Sequence, residues 1–251
     1  MNILFINGSP KKKGGASAFF GKILRFMLFR QKATSIAIGT SRNYENIFKS
    51  LQETDAVVLS VPLYNDGIPS HIIHFLRQME QYCLENKCKF MLYVISNSGF
   101  VGGYQNQAHL EQYKCWCQRA GISWGSGLGI EGGVMLHVIF YVILLLNMIL
   151  FIISISVNII FGEPAINDAS LINFIRSMIL WLFLSSGMLF QKFVIAYAIK
   201  KRKSIKNKHT RPMVPSFVFL IFASIFMILS GLFHGKIFFP LFKKGKYTKI
   251  V

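Results

Sequence analysis

From Asn2 to about Ile130, short apolar runs alternate with amphipathic segments, the pattern of βα units around a parallel sheet. Asn2 to Ile6 predicts a first strand, and Ala16 to Arg30 a helix with Phe19, Phe20, Ile23, Leu24 and Met27 on one face. Ser35 to Ile38 predicts a weak second strand, Tyr44 to Gln52 a short helix, and Ala56 to Val61 an apolar third strand of the kind buried on both faces. Pro69 to Leu84 predicts a helix with proline in its first turn, where a missing N–H costs nothing. Phe90 to Ile95 predicts strand four, Tyr104 to Arg119 a helix closed by Gly121, and Ile122 to Ile130 a glycine-spaced strand five. The expected fold class is α/β, a doubly wound five-stranded parallel sheet, followed by an all-α transmembrane region.

The texture changes after Gly132-Gly133. Val134 to Phe161 carries no charged residue, long enough to cross a hydrocarbon core of about 30 Å. Two domains follow: residues 1–133, and a membrane region 134–251 with spans near 134–161, 171–199 and 213–233. Arg176 and the Gln191-Lys192 pair blur the second span. The loop from Gly162 to Ser170 holds Glu163 and Asp168 and no Lys or Arg, whereas 200–211 is strongly basic. By the positive-inside rule the first loop lies outside and the second is cytoplasmic, which puts the N-terminal domain in the cytoplasm of a multi-pass protein of the cell membrane. The N-terminus lacks the basic region of a signal peptide.

Composition agrees with a membrane class: 53% hydrophobic residues, 24 phenylalanines and a positive mean hydropathy over 251 residues. The net charge of +18 sits largely in the basic run beside an apolar stretch, so it marks topology and not a nucleic-acid partner. Cys83, Cys88, Cys115 and Cys117 form no Cys-x-x-Cys pair and read as reduced structural thiols, and no metal site is expected. Gly121-Ile122-Ser123-Trp124-Gly125 matches a hydrolase string, but Ser123 falls inside a strand and not on a strand-to-helix turn. His137 and His234 lie near opposite ends of parallel spans, too far apart to share a haem, and His71 and His74 read as surface residues.

Ligands of such a sheet bind beyond the carboxyl ends of its strands. After strand one comes Asn7-Gly8-Ser9-Pro10-Lys11-Lys12-Lys13-Gly14-Gly15-Ala16-Ser17, opening a helix; converging N–H groups and hydroxyls there suit a phosphate. It is neither a Walker loop nor Gly-x-Gly-x-x-Gly. After strand three comes Pro62-Leu63-Tyr64-Asn65-Asp66-Gly67-Ile68-Pro69-Ser70, and after strand four Ser96-Asn97-Ser98-Gly99-Phe100-Val101-Gly102-Gly103. These loops offer backbone donors and apolar or aromatic walls for a flat ring system, or else Tyr64 and Phe100 merely cap the core.

At these three ordered motifs the chain resembles the NAD(P)H-dependent FMN reductase-like branch of the flavodoxin superfamily, over roughly Met1 to Gly133. The resemblance implies a flavodoxin-like sheet of order 2-1-3-4-5. It implies that Ser9, Lys11 and Ser17 hold the FMN phosphate, that Pro62, Leu63, Tyr64, Asn65, Asp66 and Gly67 flank the isoalloxazine, and that Asn97, Ser98, Gly99, Phe100 and Gly102 meet its other edge. Where relatives carry Asn before Ser or Thr in the phosphate loop, this chain has Ala16-Ser17, losing the amide. The chemistry belongs to the flavin, so no catalytic side chain is nominated.

The expected function is a membrane-anchored flavoprotein oxidoreductase carrying electrons from NAD(P)H through FMN to a quinone or other membrane redox partner. The alternative is a non-enzymatic docking or regulatory component retaining the fold. The resemblance carries one further expectation. A helix should follow strand five and cover one face of the sheet, yet Val134 starts a span there. That face must be covered by a partner subunit, a second copy in a homo-oligomer, the membrane, or another part of the chain.

Overall fold

The computed structural model describes residues 1–10, 15–39, 44–64, 67–99, 101, 104–161 and 168–233. In chain order these form β1 (Asn2–Asn7), α1 (Ala16–Met27), β2 (Lys32–Ala37), α2 (Glu45–Leu51), β3 (Ala56–Pro62), α3 (Ser70–Asn86) and β4 (Met91–Asn97). There follow α4 (Tyr104–Arg119), β5 (Ser123–Ile130), α5 (Gly133–Ile160), α6 (Asp168–Leu184), α7 (Ser186–Lys200), β6 (Lys208–Thr210) and α8 (Ser216–Phe233). Residues 1–213 make one compact unit, and 214–251, with α8, a second.

The sheet is parallel throughout, with strand order β2-β1-β3-β4-β5-β6. The first five strands reproduce the expected 2-1-3-4-5 order, so the chain has a flavodoxin-like fold. The sixth strand was not expected. It lies inside the basic stretch 200–211, read from the sequence as a loop, and pairs Lys208, His209 and Thr210 with Leu128, Gly129 and Ile130.

Every residue of β3 is buried, as its unbroken Ala-Val-Val-Leu-Ser-Val run requires of a central strand covered on both faces. One face packs on α2, α3 and α4 through Ile47, Phe75, Met79 and Tyr113. The other packs on α1 through Phe20, Leu24 and Leu28. The glycines of β5 let α4 come close: a Cβ on Gly127 would meet Leu110 Cδ2 at 2.6 Å, and one on Gly129 would meet Asn106 Cβ at 2.7 Å.

The second half departs from the expected spans. The stretch 171–199 is not one helix; it breaks at Ser185, and α6 and α7 meet at 63°. Helix α7 buries Met188, Lys192, Ile195, Ala196 and Ile199, an i, i+4, i+7, i+8, i+11 stripe, in the same core as α1, Val58, Tyr93 and Leu128. Its opposite face exposes Phe190, Phe193 and Tyr197. Thus α7 takes the place of the helix that should cover the sheet after β5, and another part of the same chain supplies the seal. The α5–α6 pair is an insertion between β5 and that helix.

The end of α7 is fastened tightly. Lys203 N–H donates to Ala198 O at 3.0 Å and Arg202 N–H to Ile199 O at 3.0 Å, with Arg202 at φ 48°, a Schellman ending. Arg202 pairs with Asp55, whose carboxyl also accepts the Asn2 N–H at 2.7 Å. The connection to β6 is stitched onto β5: Ile205 N–H donates to Gly125 O at 2.8 Å and Gly127 N–H to Asn207 Oδ1 at 3.0 Å. These bonds and the Schellman turn consume much of the basic segment's backbone.

Helix α5 has 28 residues, about 42 Å at about 1.5 Å per residue. Among the described residues it is the one helix long and apolar enough by itself to cross a membrane. Its apolar side chains from Val142 to Ile160 are largely exposed, as are Leu171, Ile175, Leu180 and Phe183 of α6. Asn147 Nδ2 donates to Ser177 Oγ at 2.8 Å and ties the two helices together.

Candidate functional site

The sheet order reverses between β1 and β3, so the loops leaving β1, β3 and β4 converge at one end of the sheet. A cavity of about 890 Å³ lies there, within the range of roughly 300–1,000 Å³ typical of small-molecule sites.

Its anion-friendly end is the start of α1. Gly15 occupies φ 82° as the residue before the helix, and a Cβ there would lie 3.4 Å from Ser9 Oγ. The positive φ is what calls for glycine here, and it leaves the Ser9 side chain in van der Waals contact with the helix start. Among the described residues the helix start has no side-chain cap and no acidic residue in its first turn, so its positive end faces the cavity as a site suited to an anion.

The floor is built from short, buried hydrogen bonds. Ser17 Oγ donates to Asn97 Oδ1 at 2.9 Å, and Ser60 Oγ donates to Ser17 O at 2.7 Å. Leu63 N–H donates to Asn97 O at 2.9 Å and Ser98 N–H to Ile130 O at 3.0 Å, which locks the β3 and β4 loops in register. On the β1 side, His71 Nε2 lies 2.9 Å from Gly8 O; a carbonyl only accepts, so Nε2 carries the proton. His71 thus braces the first loop and is not the plain surface residue the sequence suggested.

Behind Ser98 runs a buried polar row. Asn106 Nδ2 donates to Ser98 Oγ at 3.1 Å, Ser96 Oγ donates to Asn106 Oδ1 at 2.7 Å, and His109 Nδ1 lies 2.7 Å from Ser96 Oγ. With the serine proton given to Asn106, His109 must donate from Nδ1. Burial pushes the His109 pKa down to about 4, so the imidazole is neutral at physiological pH. At the end of β5, burial raises the Glu131 carboxyl above its usual range, with the nearby Arg211 opposing that shift.

Of the residues expected from sequence, Ser9, Ser17, Pro62, Leu63, Tyr64, Asn97, Ser98 and Gly99 line this one cavity. Gly67 does not; its N–H donates to Tyr64 O at 3.1 Å. Lys11, Asn65, Asp66, Phe100 and Gly102 lie outside the described residues. The hydroxyl proton of Ser17 is given to Asn97, so what that residue offers a phosphate is its backbone N–H. The loss of an amide at Ala16 has this counterpart: the local polar partner of Ser17 comes from β4.

Sequence reasoning missed Gly15, Ala16, Gln105, Val134, His137 and Val138 as lining residues. The first two were quoted within the phosphate loop but not singled out. The last three come from the opening turns of α5, whose uniformly apolar sequence points to a membrane span and not to a ligand wall. The Gly132-Gly133 pair was the available signal: Gly132 adopts φ 57°, and a Cβ on Gly133 would meet Phe20 Cε2 at 2.9 Å and Asn97 Cβ at 3.1 Å.

These features fit an FMN-like ligand. There is an uncapped helix start for a phosphate, buried bonds that fix two loop edges, and Leu63, Tyr64, Val134 and Val138 as walls for a flat ring system.

No family model and no curated protein matches the chain. Solved structures are similar to it at low identity. The Trp repressor binding protein of Bacillus subtilis is 16% identical, with 52% of this chain and 87% of that one aligned and a TM-score of 0.45. A flavodoxin, WrbA-like protein of Agrobacterium tumefaciens is 11% identical over 80% of this chain and 99% of its own, TM-score 0.45. An NADPH-quinone reductase of P. pentosaceus is 13% identical over 53% and 86%, TM-score 0.40. The strand order and the loops at the switch point, and not these likenesses, define the fold.

Proposed function

We propose that this protein is a membrane-anchored flavoprotein oxidoreductase that takes electrons from NAD(P)H through FMN to a quinone or other acceptor. The observation that carries the reading is the cavity at the switch point, where eight of the residues expected to touch FMN meet the uncapped start of α1. Bound there, a flavin supplies the redox chemistry, accepting a hydride from a nicotinamide and passing two electrons onward. The chain's own part is to bind and orient. The first turn of α1 would hold the phosphate, the Ser17–Asn97 and Leu63–Asn97 bonds fasten α1 and the β3 loop to the end of β4, and the half-exposed Tyr64 would wall the ring system.

The anchor is proposed to be the α5–α6 hairpin. Because α5 leaves the domain at β5 and α7 returns to the same sheet, both ends of the hairpin belong on the domain's side of the bilayer. The lysines and arginine of 200–203 lie on that side too, as a cytoplasmic location requires. Membrane lipid and the nicotinamide are therefore the expected partners; with the sheet sealed by α7, a subunit partner is not needed for that purpose.

The detergent-purified full chain is expected to carry the visible absorbance of oxidised flavin, or to acquire it with added FMN, and to bleach with NADH or NADPH. Absence of flavin binding at micromolar FMN removes the proposal. The commitment of the Ser17 proton to Asn97 favours the second reading, a docking or regulatory module with weak flavin affinity. Function in cells that survives Ser9→Ala with Ser17→Ala, in protein shown to lack FMN, decides for the module.

A further inference from the structure

The cavity is not walled by the sheet's loops alone. Val134, His137 and Val138, on the opening turns of α5, form one of its sides, and the same helix then continues as the longest apolar element of the chain. Around that junction the aromatic rings are continuous. Phe19 of α1 lies 5.1 Å from His137 and 5.2 Å from Phe140, Phe140 lies 4.9 Å from Trp181 of α6, and His137 lies 4.9 Å from Tyr141. Trp181 Nε1 also donates to Leu136 O at 3.4 Å. Trp181 is buried in this cluster, whereas Tyr141 is half exposed, and a tyrosine with its polar tip and apolar body favours the boundary between headgroups and hydrocarbon. Beyond this collar, Val142, Leu145, Leu146, Ile149 and Ile153 of α5 are bare. One edge of the ligand cavity is therefore the root of a membrane helix.

We infer that the electron acceptor enters from the bilayer along α5, and that it is a lipophilic quinone-type molecule whose head lodges between the flavin position and His137 while its tail lies on the exposed apolar face of α5. The inference rests on the flavin reading above and adds the route and the contact residue. The overall reaction balances with no further reagent: NAD(P)H gives a hydride and becomes NAD(P)⁺, one proton is taken from water, and the two carbonyls of the quinone become hydroxyls. His137 is the polar side chain that α5 brings to the cavity wall, where its ring, held against Phe19 and Tyr141, forms the surface on which the quinone head packs. A soluble acceptor lacks a tail to place on α5 and gains nothing from this wall.

The test uses the full chain, FMN-loaded, in phosphatidylcholine vesicles. An azido-quinone with a ten-carbon tail is photolysed in the vesicles and the labelled peptides are mapped. Labelling is expected in residues 134–141 and at Phe19, suppressed at least fivefold by excess unmodified quinone of the same tail, and reduced at least fivefold in His137→Leu. Label spread evenly along 142–160, or label that excess quinone fails to suppress, reflects mere partition into lipid and overturns the inference. In parallel, NADPH oxidation is compared for the tailed quinone and for its tail-less head group, with expected KM values at least tenfold apart in bulk concentration. Reduction of ferricyanide and of the tail-less quinone, with no protected labelling of α5, sinks the route and leaves the flavin reading intact. Failure to reduce any acceptor, with protected labelling present, sinks the flavin reading instead.

Discussion

Lys192 offers a sharp check on the role of α7. Its side chain is fully buried between α7 and α1, with Nζ 3.0 Å from Phe20 O and 4.6 Å from the centre of the Phe20 ring. A carbonyl and a ring face are poor compensation for the hydration of an ammonium, and burial drives the lysine pKa well below its usual value. The unfolded chain then binds more protons at this site than the folded one, between the depressed folded pKa and the unfolded value of about 10.4. Stability must rise with pH across that window, by up to about 1.4 kcal/mol per pH unit from this group alone. Lys192→Met keeps the stem that fills the core and removes the titration. Exchanges of buried charge for well-packed apolar groups are neutral or stabilising by about 1–4 kcal/mol, so the variant should be more stable than the native protein at pH 7 by an amount in that range. The gap should close as the pH approaches 10. Comparison stops there, because burial raises the Tyr93 hydroxyl to about 12 and that group lowers stability above pH 10 in both proteins. The assay is thermal unfolding in a mild non-ionic detergent, followed by tryptophan fluorescence from pH 6 to 10. A variant less stable than native at pH 7, or an unchanged pH slope, would refute the placement of Lys192 in a dry core and with it α7 as the cover of the sheet.

Other measurements probe the remaining joints. Replacing residues 138–184 by a short Gly-Ser linker in a chain that also stops at Met213, so that the exposed apolar helix α8 is removed, should give a protein that is monodisperse without detergent, since α7 still seals the sheet; aggregation in size-exclusion chromatography would count against that seal, and a chain cut at Gly133 should aggregate. Gly129→Ala should cost about 1–3 kcal/mol in denaturant unfolding, because a Cβ meets Asn106 Cβ at 2.7 Å and His209 Nδ1 at 2.8 Å and must push α4 off β5. Ser17→Ala strands the buried Asn97 Oδ1 and should cost about 1–3 kcal/mol, a loss that equal stability of the two proteins would contradict. The native His109 ring stays neutral down to about 4 whereas the unfolded ring protonates near about 6.5, so native stability falls as pH drops through that interval; His109→Phe should flatten this slope in unfolding measured between about pH 5 and 7, and an unchanged slope would contradict the burial of the ring.

The βα half was legible because its signals are local. Unbroken apolar runs mark β3 and β4, and the Gly-Ser-Pro, Pro-Leu-Tyr and Asn-Ser-Gly loops stand where the strand order reverses. The second half hid its structure for a physical reason. Helix α7 is apolar on both faces, inward through Met188, Ile195 and Ile199 and outward through Phe190, Phe193 and Tyr197, so composition alone makes it resemble a span. The clue was Lys192, set aside as a blurred span end although it falls on the same stripe as Met188, Ile195, Ala196 and Ile199. Strand β6 was concealed because Lys208, His209 and Thr210 carry no strand-like alternation; edge pairing with β5 and the side chain of Asn207 specify it instead. The α5 wall of the cavity was invisible for another reason: it depends on where a helix begins in space, which its apolar sequence does not encode.

The position of the inserted hairpin has a consequence for how the chain is made. Strands β1 to β5 leave the ribosome first with α1 to cover β3, yet the part of that face over β5 stays open until α7 emerges, and α5 with α6 must be synthesised in between. At about 5–20 residues per second that interval lasts several seconds, during which a half-covered sheet competes with aggregation. Insertion of α5 and α6 into a bilayer removes their apolar surface from the contest and returns α7 beside its docking face. Completion of the domain and delivery to the membrane are in this way a single event, and a chain that misses the membrane should be found as a protease-sensitive nascent product and not as a free, folded domain.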